Sequence, residues 1–467
     1  MSRDRFGSRL GFILLSAGCA IGVGNVWKFP WMVGQYGGGA FVLVYLIFLV
    51  ILGLPIMTME FSLGRASQAS PVKLYQKLEK PGQKWHVHGY ASLVGLVVLM
   101  MFYTSVSGWM LYYFIGFLSG RMTNLSPEAS ASVFPNMMSN PLIMVGFMAI
   151  VVVAGFVIVS IGVQKGIERV SKYMMVALLG LIIVIAIYCM TLSGAKEGLK
   201  FYLMPDFTKI NGNVIVGAMN QSFFTLSIGI GSMAIFGSYI GKERSLLGES
   251  VNILVLDTFV AFTAGLIIFP ACYSFEGVEI SAGPSLLFEA MAGVFNRMNG
   301  GRIWGTLFFL FMFFAAMTTI IAVAENIVAC VCEITNWKRL KSSIICGIAV
   351  LILSLPCALG FNLWSKVVPF ATGSSILDLE DFIVSNCLLP LGALCFVLFC
   401  TSKKGWGFDN YFEEVNTGKG LKVGKWIRPY VTYVLPLIII FVFFVGILTF
   451  PFADNFTIWG WLRGLFA

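Results

Sequence analysis

Charged residues are scarce in this chain of 467 residues. Asp, Glu, Lys and Arg make up 11% of it, apolar residues make up 58%, and the mean hydropathy is +0.88. Soluble domains contain about 25% charged residues, so the composition excludes a soluble protein and predicts a polytopic membrane protein. No polar stretch is long enough to form a separate domain, and residues 1–467 are therefore treated as a single transmembrane domain.

Histidine is almost absent, which removes several classes of function. The only two are His86 and His88, both in a polar loop, and Cys330 and Cys332 stand apart from other ligand-type residues. A structural zinc site needs about four such ligands. The apolar segments contain no nucleophile–base pair, so no enzyme activity and no cofactor are expected. They contain no repeated filter motif of an ion channel either.

Long apolar segments, in contrast, are abundant. About 20 apolar residues cross a bilayer as a helix, and we predict eleven such spans. They cover residues 10–35, 39–63, 89–119, 141–162, 168–192, 215–240, 247–274, 301–333, 343–358, 379–401 and 429–452.

Lysine and arginine are distributed unevenly between the loops. With a cytoplasmic N-terminus, 22 of the 31 basic residues fall on cytoplasmic segments and 8 on external ones, and Lys28 lies within the first span. This asymmetry follows the positive-inside rule. We therefore expect a multi-pass protein of the inner (plasma) membrane with an extracytoplasmic C-terminus. The net charge of +9 is attributed to these loops, and no nucleic-acid partner is expected.

The first span has a sequence that disfavours a continuous helix. Gly18, Gly22 and Gly24 fall within seven residues, and Pro30 follows. Each interior glycine costs about 0.8–1 kcal/mol and a proline about 3 kcal/mol, and a broken helix at membrane depth is tolerated only inside protein or beside a cavity. Carbonyls at such a break suit a small cation, and a half-helix N-terminus suits an anion. The stretch is predicted to bind an ion and a substrate; a close-packing glycine-rich helix is the alternative.

A second interrupted span lies in the other half of the chain. Within residues 221–240, Gly229 and Gly231 stand beside the hydroxyls of Thr225 and Ser227. This span comes five spans after the first, so the two broken helices run in opposite directions, which is typical of an inverted repeat with its site at the interface. The predicted repeats cover 10–192 and 215–401, and the span at 429–452 is an addition.

Five motifs together resemble one family of transporters. They are R-L-G-F-I-L-L-S-A-G-C-A-I-G-V-G-N-V-W-K-F-P at 9–30, G-G-G-A-F at 37–41, F-F-T-L-S-I-G-I-G at 223–231, A-A-M-T-T at 315–319 and L-D-L-E-D-F at 377–382. With them the chain resembles the neurotransmitter:sodium symporters from Arg3 to about Phe450. The resemblance implies an all-α polytopic membrane protein with the LeuT fold, a 5+5 inverted repeat with discontinuous helices 1 and 6 plus an eleventh helix.

The resemblance also implies two sodium sites made of oxygen ligands, which hard cations prefer. The first is assigned to Ala20, Asn25, Thr225 and Asp257, completed by a substrate carboxylate. The second is assigned to the carbonyls of Gly18, Ile21 and Ala315 and the hydroxyls of Thr318 and Thr319. Without the resemblance, bonds from the last two hydroxyls to carbonyls of their own helix are the favoured interpretation.

Asp257 departs from the animal members of the family. Many of those have a neutral amide at this position and need chloride, whereas this chain keeps the chloride-type residues Tyr45, Gln221 and Thr225 and adds a carboxylate. A fixed anion repels chloride and makes it redundant, so we expect Asp257 to substitute for chloride. Ala261 stands where another bacterial solution has a Glu.

Gly22 matches the family position that is Asp in monoamine carriers. A glycine leaves room for a substrate carboxylate and so favours an α-amino acid, and Tyr103 resembles the tyrosine that binds that carboxylate. The expected pocket consists of Ala20, Gly22, Gly24, Leu99, Tyr103, Phe224, Thr225, Ser227, Thr319, Ile230 and Val323. This lining has no charge and favours a neutral hydrophobic L-amino acid.

Two gates are implied by the same resemblance. At the outer gate Lys28 faces Asp381; the family usually has Arg at position 28, and lysine lacks its bidentate fork. The inner gate is assigned to Arg3, Glu333 and Tyr239. Glu60 is expected to accept hydrogen bonds from the unwound part of the sixth span. In the fifth span Val176 replaces the proline that often follows the family's glycine, which leaves the opening of the inner gate undetermined.

The resulting prediction is a sodium-coupled, chloride-independent symporter that imports a neutral hydrophobic L-amino acid by alternating access. Its partners are the amino acid, sodium ions and the lipid bilayer. Sodium and the substrate carboxylate share a site, which couples their binding. The alternatives are a proton-coupled carrier that uses Asp257 and a sodium-driven carrier of another small solute. An ion channel is a much less favoured alternative. The particular amino acid, the ion stoichiometry, proton counter-transport and the oligomeric state stay open.

Overall fold

The structure is a computed structural model that describes residues 7–275, 286–454, 456–460 and 462. Within these residues nine single helices and one bent pair are long and apolar enough to cross a membrane. A second broken helix, whose halves are too short to count alone, completes eleven spans. We number them α1 (Arg9–Ala20 and Gly24–Gln35), α2 (Gly39–Ser67), α3 (His86–Leu118), α4 (Pro141–Ser160), α5 (Val163–Cys189), α6 (Gly212–Thr225 and Ser232–Gly237), α7 (Leu246–Tyr273), α8 (Gly301–Thr335), α9 (Arg339–Leu359), α10 (Ile376–Thr401) and α11 (Lys425–Leu448).

The bundle is packed around α8, which lies along α3 and against α4 and α5. The first half of α1 (α1a) packs against α8, α7 and α5, so the break in α1 is surrounded by other helices. Short helices lie in the connections between spans. Their bounds are Pro71–Leu78, Pro127–Ser139, Ala195–Leu203, Leu286–Arg297 and Phe408–Asn416.

Helix α1 breaks where its glycines cluster. Its first half ends at Ala20, and Ile21 takes an extended conformation with ψ of 102°. The second half (α1b) begins at Gly24 and is bent by 53° relative to the first. The carbonyl end of one half-helix and the amide end of the other therefore meet in the middle of the bundle, as the glycine pattern predicted.

Helix α6 breaks between Thr225 and Ser232. Three residues of this segment, Ser227, Gly229 and Gly231, have positive φ angles of 50°, 102° and 75°. Left-handed backbone is accessible to glycine without steric cost, and a Cβ on Gly229 would also lie 2.2 Å from the carbonyl oxygen of Leu389. The predicted discontinuity of the sixth span is confirmed, and its two glycines are required by conformation and by close packing.

Glu60 of α2 holds the unwound segment of α6 in place. Its carboxyl oxygens accept hydrogen bonds from the backbone N–H groups of Gly229 (2.5 Å) and Met233 (3.1 Å), and the side chain is fully buried. Backbone donors that a broken helix frees at membrane depth need such acceptors, since no water is present to bind them. The role expected of Glu60 from the sequence is the one that it has in the structure.

Replacing Glu60 with alanine is expected to destabilise the protein. The change leaves two buried N–H groups without an acceptor, at about 1–3 kcal/mol for each, so the apparent melting temperature in detergent should fall markedly. Glu60→Gln keeps one acceptor oxygen, so its apparent melting temperature should fall less. Glu413→Ala, at an exposed position, is the control, and a Glu60→Ala protein as stable as this control would contradict the role assigned to Glu60.

Candidate functional site

A narrow cavity, with a volume of about 20 Å³, lies where the breaks of α1 and α6 meet. Among the described residues that surround it, none is charged. The lining consists of Cys19, Ala20, Gly22, Gly24, Leu99, Tyr103, Phe224, Ser227, Ile230, Thr319, Val384 and Leu389. The cavity is therefore apolar along most of its wall, with hydroxyl groups and exposed backbone at the helix breaks.

Gly22 and Tyr103 meet at the floor of this cavity. The N–H of Val23 donates a hydrogen bond to the Tyr103 hydroxyl at 2.8 Å. A Cβ on Gly22 would lie 2.2 Å from that hydroxyl oxygen and 2.7 Å from Thr319 Oγ1. Only glycine fits this position while the tyrosine and the threonine keep their places. Because α1b begins here, its amide end also supplies a positive potential that attracts an anionic group.

The structure brings together most of the residues that the sequence assigned to the substrate. Thr225 and Val323 do not line the cavity. The hydroxyl of Thr225 points instead to Asp257 Oδ2 at 3.3 Å, and Val323 is buried within the bundle on α8. Sequence reasoning missed three lining residues, Cys19, Val384 and Leu389.

Asp257 of α7 is buried behind the cavity among neutral donors. Its Oδ1 accepts a hydrogen bond from Asn25 Nδ2 at 2.7 Å, and its Oδ2 accepts one from Thr225. Asn25 Oδ1 in turn accepts from the N–H of Gly22 at 3.0 Å. No cation among the described residues pairs with this carboxylate. A buried carboxylate beside amide, hydroxyl and backbone oxygens is a donor set that fits a small hard cation, which would supply the missing positive charge.

Two further polar groups of the predicted chloride-type set are buried near this end of α6. The hydroxyl of Tyr45 and Oε1 of Gln221 have no hydrogen-bond partner among the described residues, and Gln221 Nε2 donates to the carbonyl of Gly24 at 3.0 Å. Buried polar atoms without partners are rare and need an explanation. Here they leave unused hydrogen-bonding capacity at two of the positions that the sequence predicted as a chloride-type set.

A second cluster of oxygens surrounds Thr319 of α8. Its Oγ1 lies 3.3 Å from the carbonyl oxygen of Gly18 and 3.4 Å from those of Ile21 and Ala315. The hydroxyl of Thr318 lies 3.0 Å from the Ala315 carbonyl and also donates within its own helix. The structure thus gathers all five residues that the sequence assigned to the second sodium site, and oxygens of this kind could hold sodium.

On the α1b side, an ion pair and two aromatic rings separate the cavity from a vestibule. Lys28 Nζ lies 3.5 Å from Asp381 Oδ2 and 3.9 Å from the centre of the Phe224 ring. Tyr103 and Phe224 line both the cavity and the vestibule, which has a volume of about 400 Å³. The ion pair is partly exposed, with side chains 23% and 33% accessible, so the rings form most of the barrier.

On the α1a side, the groups that meet differ in part from those predicted. Arg3 lies outside the described residues. Glu333 accepts hydrogen bonds from the backbone and hydroxyl of Ser70. The Tyr239 hydroxyl donates to the buried carboxylate of Glu325 at 2.5 Å, and Arg339 pairs with the same carboxylate. Sequence reasoning missed Glu325, although an acidic residue inside an apolar span is itself a signal.

The start of α1a is also fastened to its neighbours. Glu168 of α5 accepts hydrogen bonds from the N–H of Gly7 (2.8 Å) and the hydroxyl of Ser8 (2.9 Å). Arg9 forms an ion pair with the buried Glu249 of α7 at 2.9 Å. Polar contacts therefore fasten the α1a side, whereas the rings of Tyr103 and Phe224 form most of the barrier on the α1b side.

Comparisons with known proteins agree on one family. The profile described as "Sodium:neurotransmitter symporter family" matches residues 3–129 and 137–464. The sodium-dependent transporter YhdH of Bacillus subtilis (strain 168) is 35% identical over 96% of this chain and 98% of its own, and a sodium-dependent transporter of Haemophilus influenzae is 32% identical over 94% and 97%. The sodium-dependent serotonin transporter of Drosophila melanogaster is 25% identical over 96% of this chain and 77% of its own.

A solved structure gives the same result at the level of the fold. The crystal structure of MhsT in complex with L-phenylalanine superposes with a TM-score of 0.86 at 35% identity, covering 95% of this chain and 100% of that one. MhsT has the LeuT fold, and the two broken helices with the cavity between them are in accord with that fold. With the family profile matched along almost all of its length, the chain belongs to the sodium:neurotransmitter symporter family, which consists of membrane transporters and not of enzymes.

Proposed function

We propose that this symporter couples the inward movement of sodium to the uptake of a neutral hydrophobic L-amino acid, independently of chloride. The observation that carries the proposal is the uncharged cavity at the meeting point of the two helix breaks. A charged side chain in such a cavity would lose its hydration without gaining a partner, which costs several kcal/mol. An aliphatic or aromatic side chain gains from the same transfer.

The backbone end of the substrate would bind at Gly22 and Tyr103. The amide end of α1b and the tyrosine hydroxyl favour a carboxylate, and the carbonyl ends of α1a and of the first half of α6 favour an ammonium group. MhsT, which is 35% identical, was crystallised with L-phenylalanine. That relative supports an amino acid with an apolar side chain.

Two sodium ions are proposed, one at each oxygen cluster. The first would lie among Ala20, Asn25, Thr225 and Asp257, next to the substrate carboxylate, and the second beside Thr319. Since the first ion and the carboxylate attract each other, each binds better when the other is present, and this reciprocity couples the sodium gradient to uptake. Asp257 would supply the negative charge that chloride supplies in relatives with an amide there.

Alternating access would move α1, α2, α6 and α7 against a scaffold of α3, α4, α8 and α9. Opening toward the vestibule would separate Lys28 from Asp381, and opening on the other side would release α1a from Glu168 of α5. The lysine-rich loops support a cytoplasmic location for the α1a side. With eleven crossings, the C-terminus would then be outside.

Uptake of radiolabelled amino acids into proteoliposomes tests this proposal. Phenylalanine or leucine should accumulate when an inward sodium gradient is imposed and should fail to accumulate with potassium in its place. Phenylethylamine, which lacks the carboxylate, should not compete with phenylalanine. An amine that binds as tightly as its parent amino acid, or equal binding in the two salts, would contradict the shared carboxylate–sodium site.

Uptake under a proton gradient in the absence of sodium distinguishes sodium coupling from the alternative, a proton-coupled carrier. A carrier that couples to protons through Asp257 would accumulate substrate under that gradient alone. Because the cluster at Thr319 contains only carbonyl and hydroxyl oxygens, which bind a metal cation and do not take up a proton near neutral pH, sodium is the favoured ion.

A further inference from the structure

A groove opens on the side of the bundle, between the start of α3, the break of α6 and the middle of α10. Its volume is about 360 Å³, which is at the lower end of the range of small-molecule sites. Its rim includes Val87, which is 58% exposed, and Leu391, which is 40% exposed. In a membrane span, apolar side chains with this exposure face the acyl chains of lipids, so the groove is open to the bilayer.

A polar stripe runs along one wall of this groove. His88 and Ser92 line it four residues apart on one face of α3, and Lys84 lines it from the segment before that helix. Lys84 lies at its mouth, in the turn before α3. The hydroxyl of Ser92, at its deep end, is buried and has no hydrogen-bond partner among the described residues.

His88 turns a second polar group into the groove. Its Nδ1 lies 2.7 Å from the hydroxyl of Tyr75. In the tautomer that accepts a hydrogen bond from this hydroxyl, Nε2 carries the hydrogen. Nε2 lies 3.1 Å from the place that a Cβ on Gly392 would take, and Gly392 lines the groove. The wall of the groove thus carries the imidazole N–H of His88, the hydroxyl of Ser92 and, at its mouth, the ammonium group of Lys84, while its other lining residues are mostly apolar.

The mouth of the groove is positively charged. Lys80 Nζ donates a hydrogen bond to the carbonyl of Lys403 at 3.0 Å, which brings the loop before α3 next to the end of α10. Lys84, Lys403 and Lys404 are exposed there, and no carboxylate of the described chain forms an ion pair with any of them. Glu79, the acidic residue closest to Lys80 and Lys84 along the sequence, lies 2.6 Å from His86 Nδ1.

We propose that this groove binds one anionic phospholipid, with the phosphate at Lys84, the ester groups at His88 and Ser92, and an acyl chain along the apolar wall. Basic residues at a membrane interface attract anionic headgroups. The indole of Trp85 donates to the carbonyl of Lys404 at 2.8 Å, and tryptophan is a residue type enriched at that interface. A zwitterionic lipid brings an ammonium group to the same lysines and is disfavoured. The site is distinct from the substrate cavity and does not depend on the proposed substrate.

Native mass spectrometry of the purified full-length protein, with phosphatidylglycerol and phosphatidylethanolamine as probes, tests this site. The wild type should retain one phosphatidylglycerol in preference to phosphatidylethanolamine. Lys84→Ala should weaken that binding about fivefold, the effect of one interfacial lysine. Ala91→Trp fills the groove from an exposed position without changing charge, and it should abolish retention.

Lys165→Ala provides the matched control. Lys165 is an exposed lysine of the same predicted membrane face, at the start of α5 and away from the groove, and its loss should leave retention unchanged. Equal weakening by Lys84→Ala and Lys165→Ala would show general attraction of anionic lipid and overturn the site. Retention by Ala91→Trp at the wild-type level would overturn it as well. Each variant should unfold thermally with the same midpoint as the wild type, which establishes that folded proteins are being compared.

Discussion

Asp257→Asn is expected to abolish sodium-driven uptake in chloride-free medium, whereas the wild type should transport equally well in chloride and in gluconate. The variant keeps the size of the side chain and an oxygen for the ion, so the change removes little besides the negative charge. Two sodium ions beside a zwitterion then lack a counter-charge in a buried site. Uncompensated charge in a buried site costs several kcal/mol, so the rate of uptake should fall by about 100-fold or more.

Chloride should restore part of this activity. The unpartnered hydroxyl of Tyr45 and the hydroxyl of Thr225, released from the carboxylate, are donors that can bind an anion in the vacated space. Initial rates of uptake in chloride and in gluconate, at one sodium gradient, measure both effects. Asp409→Asn, at an exposed carboxylate, is the control and should behave as the wild type. Wild-type uptake that stops when chloride is withdrawn would show that Asp257 is not the substitute anion.

Gly22→Ala is expected to lower substrate affinity by about 100-fold or more. The added Cβ would lie 2.2 Å from the Tyr103 hydroxyl and 2.7 Å from Thr319 Oγ1, so both side chains must move from the floor of the cavity. Overpacking of this kind costs about 1–3 kcal/mol by itself, and the methyl group also takes up the space proposed for the carboxylate. Equilibrium binding of the substrate at saturating sodium measures the loss.

Gly146→Ala is the matched control for that substitution. A Cβ on Gly146, within α4, would meet nothing within 4 Å, and substrate affinity should not change. In a Tyr103→Phe background the clash with the hydroxyl is gone, so Gly22→Ala should cost less than it does alone. Losses that simply add in the double variant would contradict the contact between Gly22 and Tyr103 as the cause.

The helices could be predicted from the sequence because hydropathy and glycine clusters act locally. All eleven predicted spans have counterparts in the structure, and both broken helices break at their glycines. The oxygen clusters were also within reach, because the residues around Thr319 and Asp257 match family motifs at fixed positions. Wherever the signal lies within one short segment, prediction and structure agree.

Contacts that depend on tertiary packing could not be predicted from the sequence. Val384 and Leu389 line the cavity only because α10 passes the break of α6, and as apolar residues in an apolar span they resemble all their neighbours. The buried pair of Arg65 and Glu414 joins α2 to a short helix in a polar stretch that hydropathy describes as a loop. Glu325 and Arg339 likewise meet only through the packing of α8 against the start of α9.

Ile230 lies at the boundary between the substrate cavity and the lateral groove, and lines both. The two gates of a transporter keep solutes from leaking between two aqueous compartments. This transporter must also keep its substrate cavity separate from the lateral groove, and the side chain of Ile230 lies between them. Gly95 behind it leaves space, since a Cβ there would lie 3.2 Å from Ile230 Cγ2. The size of the side chain at position 230 therefore helps to keep the substrate cavity closed toward the lateral groove.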